Sequence, residues 1–171
     1  MRIVVILFAL ALLGCDGCRN SKDNTLAHQP TQEDLIAHNK AMHLEETQMV
    51  HDFIKDKKWP MTETGTGLNY WIYENGKGAK AELEMFATIT YTVSNFDGVE
   101  IYKSEPANPG MFKIGMDNVE SGLHEVILLM KVGDKAKVVL PSHLAFGLTG
   151  DSSKIPHSTP LVYDIQLIDL Q

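Results

Sequence analysis

Few groupings of side chains in this chain could make or break a covalent bond. No G-x-S-x-G, no H-E-x-x-H and no phosphate-binding glycine loop occurs in the sequence. The only thiol pair is Cys15-x-x-Cys18. A C-x-x-C can cycle between dithiol and disulfide or supply half of a zinc site. Here there is no second cysteine pair, and the motif does not follow a strand. His38, His43 and His51 recur in one stretch with His-x(4)-His and His-x(7)-His spacings. Without a carboxylate partner of clear geometry they read as solvated histidines, and no metal is expected. The aromatic residues that remain include Tyr91, Phe112 and Tyr163 in alternating segments, where residue type alone assigns them to a core, and Phe146 in a loop.

The 171 residues, 44% of them hydrophobic, suffice for one core and exclude a second full domain. A net charge of -7 with scattered Lys and Arg excludes a nucleic-acid partner. Met1-Arg2 precedes an apolar run over 3–13, then Gly14-Cys15 and polar sequence, which reads as an export signal. The run is shorter than the roughly 17 to 25 apolar residues that span a bilayer. Leu12-Leu13-Gly14-Cys15 resembles the lipobox of bacterial lipoproteins, in which the signal is cut before a cysteine that is then acylated. That resemblance implies 1–14 as signal peptide, Cys15 as the lipidation site, and a lipid-anchored envelope protein facing the periplasm or the exterior. Cys18 is left as a lone thiol without a derived role.

Residues 15–30 are polar and carry too little apolar surface to offset the entropy of ordering, so a flexible tether is expected. Thr31-x-x-Asp34 reads as a capped helix start, and the segment 31–59 as an N-terminal helix closed by Trp59-Pro60. Its sparse apolar positions, Leu35, Met42, Met49, Val50, Phe53 and Ile54, fit a helix lying on its own domain, with a homodimer seam as the second reading. From Thr64 the period becomes two, marking a main domain over 60–171. Strands are expected over 68–73, 85–93, 99–102, 111–114, 135–140 and 161–170, with Asn75-Gly76 and Asp97-Gly98 as turns. Between them Ser121 is expected to cap one helix with Leu123, Val126, Ile127 and Met130 on one face, ended by Gly133-Asp134. The class is α+β, one helix against an antiparallel sheet, and the long loop 141–160 is of the kind that carries function.

The order and spacing of Ile89-Thr90-Tyr91-Thr92 with Asp97-Gly98, Phe112-Lys113-Ile114-Gly115, Val119 to Gly122, Met130-x-Val132-Gly133-Asp134-Lys135, Ala145-Phe146-Gly147, Ile155-Pro156 and Leu161 to Ile165 resemble the FKBP-type peptidyl-prolyl isomerases over roughly the last 110 residues. That resemblance implies a curved antiparallel sheet wrapped on one short helix, here preceded by an N-terminal helix. It also implies rotation about X-Pro bonds, with no cofactor, metal or nucleotide. Residue by residue, it places Tyr91, Phe112, Val119, Glu120 through its backbone amide, Leu123 as the floor, Phe146, Ile155 and Tyr163 in the pocket. Ile101 and Tyr102 complete the substrate-binding set. Departures from the pattern are Ile101-Tyr102 for Phe-Asp, Gly110 for a wall aromatic, Leu123 for the floor tryptophan, Phe146 for a tyrosine and Tyr163 for a phenylalanine. The usual pocket carboxylate and the tyrosine donor are thereby expected to be missing.

The first functional reading is an isomerase acting on proline-containing segments of exported proteins. The second is a binding module or chaperone of the same fold that holds such segments without catalysis, in an envelope or motility assembly. The short helix closed by tryptophan ahead of the domain also resembles isomerase-type lipoproteins associated with gliding motility.

Overall fold

The computed structural model describes residues 30–171. The readings that fall on 1–29, the signal, Cys15, Cys18 and most of the tether, lie outside the described residues. The first element is helix α1, Gln32–Lys57. Thr31 caps it reciprocally: its hydroxyl accepts from the Asp34 N–H and the Asp34 carboxylate accepts from the Thr31 N–H, which satisfies two amides that the first turn leaves unpaired. Lys58 ends the helix in the left-handed region at φ 55°, just ahead of Trp59-Pro60.

The strands are β1 (Thr62–Glu63), β2 (Asn69–Glu74), β3 (Phe86–Ser94), β4 (Glu100–Lys103), β5 (Gly110–Lys113), β6 (Lys135–Leu140) and β7 (Leu161–Leu170), with helix α2 over Ser121–Leu129. They form one antiparallel sheet in the order β1-β2-β6-β7-β3-β4, with β5 also on β3. Asp97-Gly98 makes the β3–β4 hairpin, Gly98 taking φ +81°. Asn75-Gly76 makes no hairpin: β2 pairs with β6, not with the next strand in sequence. Gly76 instead lies against the turn 131–134, where a Cβ would stand 2.2 Å from the Val132 carbonyl.

Side-chain alternation divides the sheet between two cores. On the inner face Ile89, Val93, Ala136, Val138, Leu140, Leu161, Tyr163, Ile165 and Leu167 are buried against α2, through Leu123, Val126 and Ile127. The neighbouring pair Val139 and Val162 points the other way, and is buried too, because the C-terminal half of α1 lies there. Val50 is buried, and Phe53 stacks on Phe96 at 4.0 Å with Trp59 edge-on at 5.7 Å. This half of α1 therefore packs on its own domain, while Leu35, Ile36 and Leu44 nearer its start stay exposed.

Two expectations for α2 are corrected. Ser121 is the first helical residue, not the cap; Glu120 holds that position, and the Ser121 hydroxyl turns to the Leu144 carbonyl. The helix also stops at Leu129, ahead of Gly133-Asp134. Those two residues build the turn into β6, with Gly133 at φ +95°. Buried Asp134 accepts from the N–H groups of Gly76 at 2.6 Å and Lys131 at 2.7 Å.

Candidate active site

Strand β3 positions the site by changing partners along its length. Phe86 to Ile89 pair with β5, Thr92 to Ser94 pair with β4, and Tyr91 falls in the gap between the two. Ser104, just past β4, fills that gap: the Tyr91 N–H donates to Ser104 Oγ at 2.8 Å, and the Ser104 N–H donates to the Tyr91 carbonyl at 2.9 Å. Tyr91 is thus held where the sheet opens. Gly110 makes room for its ring, since a Cβ there would lie 3.0 Å from Tyr91 Cε1. Any side chain at position 110 would require the Tyr91 ring to move by a few tenths of an ångström.

The opening leads into a cavity of about 510 Å³. Tyr91, Phe112 and Phe146 line it with Val119, Tyr102 and Met111, and Leu123 and Tyr163 lie at its buried floor. Ile101 and Ile155, both expected in the pocket, do not line it: Ile155 is buried in the main core, and Ile101 is half-buried against that core. Asp151 and Ser153, which do line it, carry no sequence signal that marks them.

Helix α2 begins at the rim. Gly115 N–H donates to His124 Nδ1 at 2.9 Å, which leaves the proton on Nε2 to be donated to the Asp117 carbonyl at 3.0 Å. His124 thereby ties down the loop that delivers Val119 and Glu120. The Glu120 N–H has no protein acceptor among the described residues. Its carboxylate accepts from the buried Tyr163 hydroxyl at 3.0 Å and lines the cavity. Burial, and then that carboxylate, push the Tyr163 hydroxyl well above the ordinary phenol range, so it remains a donor at every working pH. The added hydroxyl is committed to Glu120 and does not replace the donor lost at Phe146.

Tyr102 stands where the family has its pocket carboxylate, and Asp151 brings a carboxylate to the cavity from another segment. The Tyr102 hydroxyl donates to Asp151, which also accepts from the N–H groups of Ser153 at 2.9 Å and Ile155 at 2.7 Å. The Tyr102 hydroxyl first, then those amides, hold the Asp151 carboxyl down at about 2. A carboxyl depressed on folding contributes stability that is complete above its unfolded value of about 3.9 and is lost as pH falls through about 2. The clasp between β4 and loop 151–155 is therefore at full strength near neutral pH.

A sheet that closes around one short helix, with an aromatic cavity at the start of that helix, defines a half-barrel fold with an apolar binding pocket. A sequence profile of the FKBP-type peptidyl-prolyl cis-trans isomerases matches residues 77–168, more than half of the chain, and the chain belongs to that family. It is 34% identical over 116 residues to the FKBP-type peptidyl-prolyl cis-trans isomerase FkpA of Aeromonas hydrophila, covering 67% of this chain and 42% of that protein. The 22 kDa FKBP-type isomerase of Escherichia coli is 28% identical over 114 residues, covering 67% and 55%. The crystal structure of FkpA from Escherichia coli superposes with a TM-score of 0.66 at 28% identity, over 82% of this chain and 64% of that one. A peptidyl-prolyl isomerase from Pseudomonas syringae pv. tomato gives 0.64 at 27% identity, over 74% and 94%. The chain thus spans only about two-fifths of the length of the FkpA relative from Aeromonas.

Proposed function

We propose that this chain catalyses cis-trans isomerisation of X-Pro bonds in exported proteins. The barrier, about 18 to 20 kcal/mol, arises from amide resonance, and no bond need be broken to cross it. A twisted amide has lost that resonance, so its carbonyl is less dipolar and suits an apolar, water-poor enclosure better than either planar form does. The observation that carries the reading is the open aromatic cavity with an unpaired Glu120 N–H at its rim, free to hold a flanking substrate carbonyl. The full chain is expected to accelerate the proline-limited phase of a refolding protein at substoichiometric amounts. An unaccelerated phase, together with binding of a proline peptide, would favour the binding-module reading. The hydroxyl absent at Phe146 is the feature that supports that alternative.

Lipid anchoring rests on Leu12-Leu13-Gly14-Cys15 following an apolar run. Cys15→Ser is expected to move the protein from the membrane to the soluble fraction in cell fractionation; retention in the membrane would rule the lipobox out. The same export pattern, with a helix ahead of the domain closed by Trp59-Pro60, supports a place in the cell envelope and a likeness to motility-associated isomerase lipoproteins. Among the described residues no helix is long and apolar enough to cross a membrane.

A further inference from the structure

The helical histidines do not meet one another: His38 is exposed, and His51 faces Glu63 at 3.3 Å. His43 meets a histidine far along the chain. His143, in the 3-10 turn Ser142–Leu144, lies with its ring edge-on to His43 at 5.6 Å. One ligand atom each from His43, Glu46 and His143 lie within 4.8 Å of one another. We propose that these three side chains form a site for a divalent transition metal of the zinc class, and that the bound ion clasps α1 to the loop that carries Phe146.

Three features support the assignment. His43 and Glu46 stand three residues apart on α1, a spacing that puts both on one face of a helix. His143 Nε2 faces the Thr66 carbonyl at 3.1 Å. A carbonyl only accepts, so the proton sits on Nε2 and Nδ1 presents a lone pair, the arrangement in which a metal-binding histidine is oriented by a backbone carbonyl. Glu46 is likewise oriented, accepting from the N–H and the hydroxyl of Ser142. Each of its oxygens keeps a second lone pair. Ligand atoms around a tetrahedral zinc with bonds of about 2.0 to 2.1 Å stand roughly 3.4 Å apart, so closing the site asks about an ångström of movement from two exposed imidazoles. Imidazole with carboxylate is the donor set of zinc and its neighbours, not of calcium or magnesium. Two elements from opposite ends of the chain would then be joined three residues before Phe146.

The test is zinc titration calorimetry on the full chain carrying Cys18→Ser, so that no thiol pair competes. One Zn²⁺ per chain with micromolar or tighter affinity is expected, together with a higher midpoint of thermal unfolding. His43→Ala and His143→Ala should each weaken binding at least tenfold and remove the thermal shift. His38→Ala should change neither. Because both altered histidines are exposed, the metal-free variants should give the circular dichroism of the parent. No binding by the parent, or unchanged binding by the His43→Ala/His143→Ala double variant, would overturn the proposal.

Discussion

Tyr91→Ala is expected to lower the proposed catalytic acceleration of proline-limited refolding at least tenfold while leaving the domain folded. The ring lines the cavity but is only half-buried. Its removal should therefore cost about 2 kcal/mol of stability, less than the roughly 3 to 5 kcal/mol of a fully buried aromatic. Tenfold in rate is about 1.4 kcal/mol of transition-state binding, a modest share for the side chain at the point where β3 changes partners. Tyr91→Phe keeps the wall and should keep most of the activity, because the bonds to Ser104 come from the backbone of residue 91. The measurements are refolding rates at several enzyme concentrations, with urea unfolding curves for all three proteins. Equal acceleration by wild type and Tyr91→Ala would place catalysis outside this cavity.

Asp134→Ala is expected to be the most damaging single change to the fold. The side chain is 3% exposed and accepts from two backbone amides on separate segments. Hydrogen bonds to a charged acceptor contribute about 1.5 to 3 kcal/mol each, and alanine leaves both amides unpaired. A loss of roughly 3 to 5 kcal/mol follows, which at about 4 °C per kcal/mol lowers the melting midpoint by roughly 12 to 20 °C. Asp134→Asn should recover less than half, since a carboxamide offers one accepting oxygen where two amides need acceptors. Calorimetry or chemical denaturation reads the difference. A midpoint within a few degrees of wild type would show that water satisfies those amides.

Local pattern was sufficient where one face of an element is apolar and the other is not. The reciprocal cap of Thr31 and Asp34 depends on residues three apart, and the boundaries of β6 and β7 follow from alternation that also names their buried faces. The Asp97-Gly98 hairpin needs only a residue that tolerates positive φ. Asn75-Gly76 carries the same signal and means something else: its glycine is needed for close approach to the Val132 carbonyl, in a turn remote in sequence. Ser121 has the composition of a helix cap, whose oxygen would accept from a backbone N–H, but its hydroxyl instead donates to the Leu144 carbonyl.

The sequence by itself determined the alternation of the strands and the amphipathic helix of the main domain, because these are set by residue type and by spacing along a few turns or strand steps. The aromatics of the pocket were set apart from a plain core only by the family resemblance. Only the tertiary structure decided how polar groups pair inside that pocket. Asp151 reaches Tyr102, Tyr163 reaches Glu120 and Ser104 completes Tyr91, across loops whose length and composition do not encode direction. The same holds for the burial of Val162, an outward residue covered because α1 returns over it. A hydrogen bond forms or fails within an ångström, and sequence separation carries no such precision.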